Sequence, residues 1–137
     1  MTDADRAKKL LTDGRYTCVL IRGVDVVTSK ERGIKPLIAF IDGKKDLRGY
    51  TAADRIVGKA AALLYALIGV RQVYAEVMSK DAVRALESRK IAFSYDTLTD
   101  RIINRRGDDI CPMERAVANI DTPSAALSAI KSKLSRL

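Results

Sequence analysis

No histidine occurs anywhere in the 137 residues. That absence removes Ser-His-Asp and Cys-His catalysis, the common zinc sites built on imidazole, and acid–base work by a group titrating near neutral pH. Cysteine is scarce as well. Cys18 and Cys111 cannot supply a four-thiolate cluster and are too few for a disulfide framework, so both are expected to stay reduced. The eight glycines stand apart from one another, which leaves neither a Walker loop nor a dinucleotide fingerprint. No apolar run approaches the roughly eighteen residues that a membrane span needs. The opening MTDADRAKKLL mixes both charge signs and has no hydrophobic signal core, so the expectation is a soluble cytoplasmic protein with no membrane partner.

What remains is ordinary globular composition, 47% hydrophobic and 31% charged, in one domain's length of chain. A single core suffices, and the expected organisation is one domain over residues 1–137. The formal charge of +8 and pI near 9.7 permit a polyanionic partner. The bases are scattered, however, with the densest groups at GKKDLRG (43–49), RIINRR (101–106) and KSKLSRL (131–137). The five tyrosines and two phenylalanines do not interleave with them as single-strand binding surfaces require. A solvated basic exterior is the favoured reading, and a nucleic-acid partner the less favoured one.

Periodicity predicts a helix over 3–11, strands over 16–22 and 24–29 joined at Gly23, and a short helix over 34–41 closed at Asp42-Gly43. TAADRIVGKAAALLYALIG, 51–69, reads as one long, nearly all-buried helix ending at Gly69. A strand over 70–77, a helix over 80–89 capped by Ser79 and a strand over 91–95 follow. Residues 100–104 give a weak strand or helical turn. Pro112 opens a helix over 112–120, and Pro123 the last one, over 123–136. Strands joined through helices run parallel, so the architecture is an α/β sandwich of three layers around a mixed sheet.

The charges inside the 51–69 segment single out candidate site residues. Thr51 and Asp54 match a T-x-x-D capping box, or Asp54 is a functional acid. Gly58, placed mid-helix, marks close packing or a ligand. Arg55 and Lys59, four apart, must reach solvent, an acid or an anion. Cys111, Pro112 and Glu114 stand at another helix start, where a thiol can be activated with Arg105, Arg106 and Arg115 nearby; a packing or capping role is the favoured alternative. Glu114 as a first-turn acid needs no function. Cys18, within an apolar strand, belongs to the core.

ADRIVGKAAALL and the later CPMERAV are similar to signatures of an uncharacterised, zinc-less branch of the cytidine deaminase-like superfamily, over residues 5 to 120. Zinc deaminases carry H-x-E at the start of one middle helix and P-C-x-x-C at the start of the next. This chain has TAAD and MSKDAV at those places, so the resemblance implies no metal, no cofactor and no zinc-hydroxide deamination. It further implies a pocket where the two middle helices begin, lined by Gly49, Tyr50, Thr51, Asp54 and Lys59 on one side and Ser79, Lys80 and Asp81 on the other, apt for phosphate or ribose. A nucleotide or ADP-ribose-like ligand, bound without deamination, is the first expectation. A protein or nucleic-acid interaction module is the second, and a thiol enzyme using Cys111 the third. The resemblance also implies homo-oligomers, without naming an interface.

Overall fold

The computed structural model describes residues 1–136; Leu137, which ends the expected domain span and the basic tail, lies outside the described residues. Thr2 and Asp5 form a capping box that starts α1 (Asp3–Asp13). β1 (Cys18–Arg22) and β2 (Asp25–Ser29) make the expected hairpin about Gly23, and α2 (Lys35–Asp42) holds Pro36 in its first turn. Then come β3 (Thr51–Val57), α3 (Lys59–Ile68), β4 (Gln72–Ser79), α4 (Lys80–Ser88), β5 (Ala92–Thr99), α5 (Pro112–Ala116) and α6 (Pro123–Leu134).

The five strands form one mixed sheet in the order β2-β1-β3-β4-β5. β1 runs antiparallel to β2 and β3, whereas β3, β4 and β5 run parallel, as crossovers through α3 and α4 require. α1 packs Ala7 and Leu11 on Val19, Ile21, Ala53 and Tyr74 of one sheet face. The larger core, under α2, α3, α4 and α6, lies on the other. Among the described residues no helix is long and apolar enough to cross a membrane.

The segment expected as one long helix is two elements. Residues 51–57 are the central strand, and the helix begins only at Lys59. An apolar run buried on both faces of a sheet carries no period-2 signal, and its alanines read as well in a helix. Ala52 faces α3 while Ala53 faces α1, and both are fully buried. Gly58 is therefore the residue before the helix, not a mid-helix glycine, and Thr51 and Asp54 cap nothing. Val57, rather than the half-exposed Ile56, joins the core under α3, so the alternation slips after Asp54, where the ladder skips the Arg55–Glu76 row.

Other boundaries move less. Gly69 takes the left-handed position past α3 with φ +87°, and the Ser79 side chain accepts from the amide of Ala82 to cap α4, both as expected. β5 continues to Thr99, while 100–104 contributes only a bridge between Ile103 and Ile110. The expected helix over 112–120 stops at Ala116, and α6 ends at Leu134.

Arg55 and Lys59 do not share a helical stripe. The Arg55 guanidinium lies under α1, where Nη2 donates to Leu11 O at 2.6 Å, Nε to Tyr16 O at 2.9 Å, and Nη1 pairs with Glu76 at 2.7 Å. It thus satisfies a carbonyl in the last turn of α1 and fastens that helix to β3 and β4. A lysine has one point of charge and cannot make this fork. Arg55→Lys should lower unfolding stability by about 1–3 kcal/mol in urea denaturation, with Arg55→Ala at or beyond the upper end.

Candidate functional site

The parallel strands end together: Val57, Met78 and Leu98 lie in one row, with Ser79 beside Thr99 just beyond. In open α/β sheets the crevice beyond the carboxyl ends of the strands is where ligands bind. Here a cleft of about 570 Å³ occupies it, between Lys59 at the start of α3, Ser79 and Lys80 at the start of α4, Arg101 after β5, and Glu114 and Arg115 of α5. A second hollow of about 280 Å³ continues from it along α4 and shares Lys59, Asp81 and Arg84.

Glu114 closes the floor. Its carboxylate accepts from the backbone amides of Lys59 at 2.7 Å and Ala60 at 2.8 Å, supplying from another element the cap that Gly58 lacks a side chain to provide. Burial pushes its carboxyl above the usual glutamate value, and the two amides pull it back. A Cβ on Gly58 would sit 2.2 Å from Glu114 Oε1 and 2.8 Å from Ile102, so only glycine admits this contact. The anion-seeking start of α3 is therefore already filled by an internal anion.

Charge around the rim is mixed. Lys59, only 15% exposed, donates to Ala118 O at 3.2 Å and faces Asp121 at 3.4 Å. Lys80 pairs with Asp100 at 2.8 Å, Arg84 with Asp81, and Arg115 with Asp109. Arg101 makes no ion pair among the described residues. No group of three or more His, Cys, Asp or Glu side chains among the described residues is arranged to hold a metal.

Of the residues singled out from sequence, the structure brings Lys59, Ser79, Lys80, Asp81, Glu114 and Arg115 to this cleft, but not the others. Ser79 is buried and spends its hydroxyl on Ala82. Tyr50 and Thr51 lie at the opposite end of β3, about 20 Å away at the rise of a strand, where Tyr50 donates to Asp25. Gly49 lies there too, its amide bonded to Gly69 O. Cys111 precedes the five-residue α5 and bonds there through its backbone. Arg101 and Arg84 joined the site with no motif to announce them; only the placement of their elements does so.

Asp54 is buried in the core instead. Tyr65 donates to its Oδ2 at 2.6 Å, Cys18 Sγ lies 3.1 Å from the same hydroxyl, and the Ile56 amide reaches Oδ1 at 3.4 Å. Burial raises its carboxyl to about 6, opposed by the Tyr65 hydrogen bond and nearby amides. The neutral form is thus favoured in the fold more than in the open chain. Its contribution to stability is complete below the ordinary value of 3.8 and is lost as pH rises through about 6.

The chain matches the model of the family described as TM1506, domain of unknown function (DUF1893), over residues 6–134. Among solved structures it is similar to the crystal structure of a DUF1893 family protein (TM1506) from Thermotoga maritima. That match has 27% identity over 100% of this chain and 92% of the other, with a TM-score of 0.86. No curated protein matches the chain.

Two outcomes follow from this geometry. Between about pH 4 and pH 7.5 the wild type should lose about 2–3 kcal/mol relative to Asp54→Asn, read as the difference between their urea midpoints at each pH. Gly58→Ala should cost about 2–4 kcal/mol in the wild type and markedly less in a Glu114→Ala background, a coupling that a double-mutant cycle measures directly.

Proposed function

Since the chain belongs to the DUF1893 family, whose function is undefined, we propose from its own geometry that it binds a nucleotide or ADP-ribose-like ligand in the cleft beyond β3, β4 and β5. The observation that carries this is the lining. Lys80, Arg84 and Arg101 offer charge-assisted donors to phosphate, while Asp81 and Asp100 beside them offer acceptors to a sugar diol. A bare anion would gain nothing from those acids. The adjoining hollow along α4 supplies length for a two-part ligand, with Lys59, Asp81 and Arg84 at the junction.

The order β2-β1-β3-β4-β5 with α3 and α4 crossing over is compatible with a cytidine deaminase-like fold, and we retain that relationship as part of the proposal. On it, the metal-ligand places fall at Gly58-Lys59 and Ser79-Lys80 rather than at TAAD, which lies in β3. Glycine, lysine and serine there do not make a zinc set, which supports binding without zinc-dependent deamination. Lys59 and Lys80 remain in the ligand set; Ser79, whose buried hydroxyl caps α4, and Tyr50, Thr51 and Asp54 fall outside it.

A second reading rests on the other end of the sheet, where Arg22, Arg48 and Arg71 gather: Arg22 donates to Arg48 O at 3.1 Å, and Arg71 binds Tyr50 O through its amide. On this reading Arg22 and Arg71 would engage a polyanion there, the Arg48 side chain being paired with Asp46, and retention on heparin that falls steeply with salt would favour it. For the first reading, calorimetry with ADP-ribose should give saturable binding that Lys80→Ala and Arg84→Ala each weaken about tenfold or more. Tyr50→Phe should leave the affinity unchanged. No heat with ADP-ribose, ADP or pyrophosphate would remove the proposal.

A further inference from the structure

β5 is an eight-residue edge strand with nothing paired to its outer side among the described residues. Natural edges carry lysine, proline, a bulge or a cover against pairing with another chain. AFSYDTLT has no base, no proline and no glycine, in a chain with 25 lysines and arginines. It is exposed along most of its length, with Tyr95 at 38% and Leu98 at 40%, and Tyr95 stacks on Phe93 at 6.4 Å between ring centroids. We infer that β5 is a homodimer edge, pairing antiparallel with β5 of a second copy about a two-fold axis at Tyr95, so that the two five-stranded sheets join as one.

Symmetry and charge choose the register. In an antiparallel ladder hydrogen-bonded and non-hydrogen-bonded pairs alternate, so an axis perpendicular to the sheet must pass midway between a residue and its own paired copy. Centring on Tyr95 or on Asp96 gives the longest overlap of the strand Ala92–Thr99. Asp96 would then face Asp96, a like-charge pair, which is destabilising. Centring on Tyr95 sets Ala92 against Leu98, Phe93 against Thr97 and Ser94 against Asp96, so that no like charges stand directly opposite. It places Phe93, Tyr95 and their copies in one aromatic row on one face, the cross-strand arrangement that stabilises sheets. A peptide ligand would have no such built-in register.

The interface is small, so the dimer should dissociate on dilution. Sedimentation of the full chain should show mass rising from 15.0 kDa toward twice that across about a hundredfold range of concentration. Tyr95→Lys, exposed and tolerated by the monomer, should hold it at the single-chain mass with an unchanged circular dichroism spectrum. In a Cys111→Ser background, Tyr95→Cys should form a disulfide-linked dimer under mild oxidation, because self-paired residues lie within about 5.5 Å between Cα atoms. Thr97→Cys should do so at least about tenfold more slowly, since it faces Phe93 rather than itself. A single-chain mass at all concentrations, a dimer that survives Tyr95→Lys, or equal cross-linking at 95 and 97 would each overturn the inference.

Discussion

One carboxylate from the last third of the chain completes the helix that leaves the central strand. Glu114 binds the amides of Lys59 and Ala60, and Gly58 has no side chain because that carboxylate needs its space. An unmet helix start would expose orphan amides at the most buried helix of the fold. The contact therefore holds α5, and through it the loop from Asp100 and the packing of α6 on α3, against the end of the sheet. The walls of the cleft are these same elements, so the cleft has its shape because Glu114 is where it is.

The same constraint changes what the cleft can bind. A free helix start attracts phosphate, but the start of α3 is neutralised from within, so under the proposed function recognition falls to side chains on α4 and after β5. Of these, Lys80 and Arg84 stand in ion pairs with Asp100 and Asp81. A ligand carrying only charge would have to break these pairs, while one that also carries hydroxyls can use both partners. The far end of the sheet, with Tyr50 on Asp25 and the arginines around it, is a separate surface.

Two polar clusters, one half-buried and one buried, bracket β3. Arg55 is satisfied by Glu76 and two carbonyls on the α1 side, whereas Asp54 on the α3 side has a hydroxyl and a long amide contact. The first fastens α1 to the sheet. The second places a weakly solvated acid in the core, and its cost rises with pH.

Much of the frame is legible in the sequence, because it rests on local rules. The hairpin about Gly23, the left-handed stop at Gly69, the Ser79 cap and the apolar faces of α1 and α6 are decided by neighbours a few residues apart. Composition alone likewise removes imidazole chemistry and thiolate clusters. What the sequence could not decide is where burial comes from both sides. Residues 51–57 read as helix because a strand covered on two faces loses its alternation, and that error carried Asp54, Arg55 and Gly58 into the wrong surroundings. Nor could periodicity announce a contact spanning 55 residues between Glu114 and Lys59, since no pattern links a cap to a helix in another part of the chain. Local spacing determined most of the elements and the excluded chemistries. Only the packed sheet decided which end of it holds the cleft, because that depends on strand order and on which helix start is already satisfied.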